Sequence, residues 1–259
     1  MTIYDSNFIY ANRTSEEFGV ILCDIGTVNT ESNDEESQII TSTTPFIDTW
    51  NFHGLEKTAP LQYKLTICNK DGSFIDSYKE RDLKKWLCKK KRFWLQIDQD
   101  DMYDIFYNCI FINPRKISIG KYSGGMTFDV ICDSGHAWSS LKQKTYTTSS
   151  GTLTFNLNNS NDYDEYELKP LFEITPLING NLSITNNTTN NTLTLNNCVT
   201  SESIIIDNLK NIIKSSSGRV LLDDWNKKFI YLKNGINNIT LTGNFSIKIS
   251  YRLPIRVGG

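Results

Sequence analysis

Leu61-Gln62-Tyr63-Lys64-Leu65-Thr66-Ile67-Cys68 alternates apolar and polar residues along its length, and that period decides the fold class. Successive side chains of a strand point to opposite faces, so Leu61, Tyr63, Leu65 and Ile67 form the apolar side of a half-buried strand. Residues 126–132 repeat the pattern, with Met126, Phe128, Val130 and Cys132 inward and Thr127 and Asp129 outward. Between them, residues 92–97 and 105–112 read as two more strands around an acidic turn at residues 98–101. Pro114 is expected to end the second, because proline has no N–H for a central ladder. Upstream, residues 17–22 form a short β-prone run, residues 30–37 a polar, acidic loop, and Gly54 a break.

One helix interrupts this β pattern. Ser77 and Glu80 have the spacing of a capping box, in which each side chain satisfies an orphan N–H at the helix start. Leu83, Trp86 and Leu87, with Lys90 contributing its stem, recur at helical spacing, while Arg81, Asp82, Lys84, Lys85 and Lys89 face water. Such a helix covers one face or edge of a sheet. The expected core cluster here is Leu83, Trp86, Leu87, Phe93 and Leu95.

The second half has another texture. Asn, Thr and Ser dominate, and β-prone segments fall at 152–157, 171–175, 182–185, 192–195, 203–206, 219–222, 229–232, 238–242 and 245–251. Turn signals such as Asn179-Gly180, Asn234-Gly235 and Gly243-Asn244 separate them, and residues 207–212 suggest a brief helical turn. Many short strands at this spacing predict a β-sandwich or related double sheet. The chain therefore reads as mainly β, in two domains: residues 1–135 with one covering α-helix, and residues 136–259.

Its 259 residues, 39% of them hydrophobic, are enough for two self-sufficient cores. The 27 basic and 29 acidic residues give a formal net charge of -2, which lacks the basic excess of a nucleic-acid binder. Neither a signal peptide nor an apolar run of bilayer length is evident, so no membrane insertion is expected. The six cysteines, at 23, 68, 88, 109, 132 and 198, form no CxxC pair, which points to reduced thiols rather than a zinc or redox motif.

Sites for chemistry are weak. His53 and His136 are the two histidines, and neither falls in a nucleophile pattern; both read as surface or loop residues. Asp98, Asp100, Asp101 and Asp104 lack the ordered spacing of a calcium loop and read as a solvated turn. Residues 89–92, Lys-Lys-Lys-Arg beside Phe93 and Trp94, could suit a single-stranded nucleic acid, but a cationic last turn of the helix explains them more simply. No catalytic, metal or cofactor-binding residues are assigned, and no cofactor is expected. The protein reads as a structural component rather than an enzyme.

Taken in order, these segments resemble the distal tail protein family of long-tailed siphophages. The resemblance rests on residues 8–12 and 16–20, on the helix from Arg81 through Trp86-Leu87 to Phe93-Trp94-Leu95, and on residues 107–110 and 128–132. Residues 180–186, 205–207 and 232–237 continue it. Where the family often has a Pro-Tyr pair after the last N-terminal strand, this chain has Asp133-Ser134-Gly135-His136-Ala137-Trp138. The resemblance implies an N-terminal domain that closes as a hexameric ring and a galectin-like C-terminal sandwich. It further implies a place at the tail tip or baseplate of the virion after assembly in the host cytoplasm. The implied partners are further copies of the chain, the tail tube protein, the baseplate hub and a receptor-binding protein, with no nucleic-acid contact required. A polar loop can serve as an interaction arm, so Glu31, Asp34, Glu35 and Glu36, within residues 29–44, are the expected subunit contact. A carbohydrate-binding module, marked by exposed aromatics on the concave sheet of the second domain, and another baseplate adaptor are the alternatives.

Overall fold

The computed structural model describes residues 6–23, 37–57, 59–119, 122–149 and 151–257. Two units emerge, one containing the chain up to Trp138 and again from Ile255, the other Ser139–Pro254. The first contains β1 (Asn7–Tyr10), β2 (Arg13–Thr14), β3 (Val20–Leu22), β4 (Ser37–Thr43), β5 (Trp50–Lys57) and β6 (Gln62–Asn69). Helix α1 (Ser77–Leu87) follows, then β7 (Phe93–Asp98), β8 (Phe106–Ile119), β9 (Tyr122–Cys132) and β10 (Ala137–Trp138). The second holds β11 (Lys142–Thr148), β12 (Thr152–Asn159), β13 (Leu171–Pro176), β14 (Gly180–Asn186), β15 (Asn191–Cys198) and β16 (Ile204–Asp207). It continues with β17 (Ile212–Ser215), β18 (Gly235–Thr242) and β19 (Phe245–Tyr251), and β20 (Pro254–Ile255) pairs back onto β10. That pairing draws the last described residues into the first unit, so the second does not run to the end of the chain as a simple split at residue 135 implies.

The main sheet of the first unit has the order β2-β1-β7-β8-β9-β6-β3. Ser6 and Leu22 exchange backbone hydrogen bonds of 3.2 and 2.9 Å, so the residue entering β1 pairs with β3 and the sheet closes on itself. Closure removes the free edges that an open sheet would present. The alternating faces read from the sequence line the interior: Leu65, Ile67, Met126, Phe128, Val130 and Cys132 are all buried. β8 runs on through Pro114 instead of ending there. Asn113 takes φ +50, and the register shifts between Ile112 and Arg115, so a bulge absorbs the proline outside the ladder. Residues 17–22 likewise divide: Ser15–Phe18 is a 3-10 turn capped by Thr14, and only Val20–Leu22 is strand.

Asp76, not Ser77, caps α1, its carboxylate accepting the Lys79 N–H at 2.7 Å. Glu80 instead takes ion pairs from Lys84 (2.6 Å) and Lys116 (2.5 Å), tying the helix to β8. Trp86 lies against Phe8 and Phe18 in near-parallel stacks, with ring centroids 5.2 and 4.2 Å away. Its indole N–H donates to the Tyr10 carbonyl at 2.9 Å. Leu83, Leu87 and Leu95 are buried, and Phe93 is half-buried against the same core. The helix stops at Leu87, so Lys89–Arg92 lie beyond its last turn rather than within it, and Lys90 adds nothing to its apolar face.

In the second unit, the sheets β11-β19-β13-β16-β17 and β12-β18-β14-β15 share a core that includes Phe172, Ile184, Leu193, Leu241, Phe245 and Ile247. Segments 219–222 and 229–232 are not ladder strands. In the second of these, side chains satisfy much of the backbone instead: the Asn208 carboxamide oxygen accepts the Ile230 N–H at 2.9 Å and the Asn186 carboxamide donates to the Tyr231 carbonyl at 2.8 Å, while the Leu232 backbone makes a single bridge to Leu168. The helical turn expected near residue 209 is a plain turn leading into β17. β11 escapes the alternation rule because it is a polar edge strand bonded on one side to β19.

Candidate assembly interface

Strands β4 and β5 form a separate two-stranded sheet, outside the closed barrel. An isolated hairpin of this kind is marginal in water unless something covers it. Here the described side chains are nearly all exposed, including Ile39 at 60%, Phe46 at 106%, Trp50 at 70% and Phe52 at 64%. The register explains how they are arranged. Ile40 lies opposite Gly54, but Thr41 lies opposite Phe52, so His53 is left over at a bulge where Gly54 takes φ +139. That inserted residue flips the alternation, bringing Trp50 and Phe52 onto the face that carries Ile39. Exposed apolar side chains gathered on one face of a strand pair are the kind of surface that an interaction site presents.

The expected contact loop, Glu31, Asp34, Glu35 and Glu36, lies outside the described residues. Residues 37–43, the rest of that expected loop, are strand β4, because β5 supplies a ladder partner for them. The sequence did contain the signal, in the apolar residues Ile39, Ile40, Phe46, Ile47, Trp50 and Phe52, but without a clean alternation they indicated no single face.

Other candidates do not converge. His53 Nε2 lies 2.6 Å from Ser42 Oγ on the exposed hairpin, while His136, read as a surface or loop residue, stands in the bend before β10, where it is only 9% exposed and packs edge-on to Trp138 at 4.6 Å. Asp98, Asp100 and Asp101 are exposed around the 3-10 turn Asp100–Met102. Among the described residues no group of three His, Cys, Asp or Glu side chains could hold a metal ion, and no helix is long and apolar enough to cross a membrane. None of the six cysteines is in a disulfide.

A charged cluster that sequence reading missed lies in the second unit. Buried Glu202 accepts from Arg219 at 2.9 and 3.2 Å and from the Ser215 hydroxyl, while Arg219 also donates to Asp224 at 2.7 Å. Burial pushes the Glu202 carboxyl up, but Arg219, Ser215 and the Val199 N–H together outweigh it and hold the group at about 2. The contact residues are far apart in sequence, so no local motif announced them. The cluster ties the turn at residues 199–202 to the end of β17 and to the loop that holds Arg219 and Asp224.

Comparison with known proteins agrees with this architecture. Residues 3–134 match the model of a phage tail protein N-terminal domain, and residues 136–251 that of a phage tail C-terminal domain. The search of curated proteins returned no match. Among solved structures, the Dit protein of phage SPP1 aligns with a TM-score of 0.68 at 9% identity, over 96% of this chain and 100% of that one. A chain of the phage P2 baseplate, in its activated conformation with calcium, aligns with a TM-score of 0.57 at 10% identity, over 96% and 98%. These two likenesses establish the shared fold. The chain belongs to a family of phage tail proteins, matched in both its N-terminal and its C-terminal domain.

Proposed function

We propose that this chain is a structural ring component that joins the distal end of the tail tube to the baseplate hub. Six copies close the ring, and the β4–β5 hairpin of each packs on its neighbour. The apolar, uncovered hairpin carries this reading: its exposed face needs a partner, and a repeated heterologous contact closes into a ring when its angle suits the symmetry. The shared fold with SPP1 Dit, which is described as a paradigm of hub adsorption apparatus, supports the same role. In this reading the second unit is the galectin-like domain, projecting toward a receptor-binding protein, and the particle needs no catalytic chemistry from this chain.

The carbohydrate-binding alternative requires exposed aromatics on the second domain. Among the described residues, the exposed large aromatics all lie in the first unit, and the exposed large apolar residues of the second are aliphatic. This favours the assembly role.

Native mass spectrometry of the purified chain, alone and mixed with its tail tube protein, tests the proposal. Six copies are expected, with a return to single chains in the Trp50→Ser/Phe52→Ser variant and no change in its thermal unfolding. A wild-type chain that stays single under both conditions overturns the ring; an intact ring in the double variant overturns the hairpin's part in it.

A further inference from the structure

In the barrel wall, β8 and β9 place Cys109 directly opposite Cys132. The hydrogen bonds around this pair define its type. The Asp133 N–H bonds across to the Asn108 carbonyl at 2.9 Å, whereas the Cys132 N–H turns the other way, to Leu61 on the β6 side, also at 2.9 Å. The 109/132 position is therefore a non-hydrogen-bonded pair, where facing Cα atoms approach to about 4.5 Å and the side chains come closest. Disulfides span Cα separations of roughly 4.4–6.8 Å, so no strand has to move for one to form. Both side chains point into the same core, at 0% and 1% exposure.

We propose that Cys109 and Cys132 are a covalent modification site, a latent cross-strand cystine that closes when the assembled protein leaves the reducing cytoplasm. Intracellular thiols are kept reduced, whereas a particle outside the cell meets peroxide and dioxygen. With hydrogen peroxide the step balances. One thiolate attacks an oxygen, forming S–O and breaking O–O, and hydroxide leaves as water after taking a proton. The second sulfur then attacks the sulfenic acid, S–S forms, S–O breaks, and a second water leaves. Two thiols are oxidised and one peroxide is reduced. Burial pushes both thiols up, Cys132 to about 12, so thiolate is scarce and closure in the folded barrel is slow. That delay lets the chain fold and assemble before β8 is clamped to β9.

The test treats the full-length protein, purified reduced, with hydrogen peroxide in buffer and in mild urea, then unfolds it in an alkylating reagent. The expected product has lost about 2 Da before alkylation, takes four alkyl groups in place of six, and maps to a Cys109–Cys132 peptide. Its thermal midpoint rises and falls back with reductant. Cys109→Ser and Cys132→Ser each abolish the mass loss and the rise in midpoint. Six alkylated thiols under both conditions, or a cystine between other cysteines, overturns the proposal.

Discussion

Replacing Trp86 separates two contributions that meet at one side chain. The indole is 2% exposed, between Phe8 and Phe18, with its N–H on the Tyr10 carbonyl. Burying an aromatic of this size removes roughly 150–250 Å² from water, worth about 4–6 kcal/mol at 25 cal/mol per Å². That area value is an upper bound, because the unfolded chain already shields part of its apolar surface. Trp86→Ala is expected to cost about 3–5 kcal/mol, the range for aromatic-to-alanine changes in cores. Trp86→Phe keeps a ring in the stack but deletes the hydrogen bond, whose net worth is about 1 kcal/mol, and leaves a smaller void. It is expected to cost roughly 1–3 kcal/mol. Urea unfolding followed by near-ultraviolet circular dichroism reads both variants against wild type, with the first unit's transition fitted separately. An alanine cost below about 1 kcal/mol would refute the packing argument. Equal costs for alanine and phenylalanine would refute the stack as the larger contribution.

Two further outcomes follow from the second unit. Glu202 is held at about 2, against 4.5 for an ordinary glutamate, so its contribution is complete above pH 4.5 and is lost as pH falls toward 2. The span corresponds to about 3 kcal/mol; Glu202→Gln should flatten that acid limb in pH-dependent chemical unfolding, and an unaltered limb would exclude the carboxylate as its source. Gly243 takes φ +120, and a Cβ there would stand 2.8 Å from the Asn181 carbonyl oxygen. Gly243→Ala should lower stability by about 1–3 kcal/mol, while Gly151→Ala, with open space at φ +99, should cost less; equal urea midpoints for the two would contradict the steric argument.

Much of the fold was legible locally because its signals are local. The alternation in residues 61–68 and 126–132 marked the faces that line the barrel, and Leu83, Trp86 and Leu87 marked the buried side of α1. The turn dipeptides of the second half likewise delimited most of its strands. The errors have shared causes. Pro114 is tolerated because a bulge beside it removes the need for its N–H, and residues 229–232 are β-prone but have much of their backbone held by side chains instead of a ladder. The cap moved by one residue, since Asp76 supplies the same oxygen that Ser77 was expected to give.

By itself, then, the order of residues determined the periods, and with them the β class and the one α-helix among the described residues. Closure of the barrel through Ser6 and Leu22, the face shared by Ile39, Trp50 and Phe52, and the opposition of Cys109 to Cys132 were decided only by the tertiary structure. Each depends on strand register, and register is set by contacts between segments distant in the chain: a shift of one residue would turn every side chain to the other face.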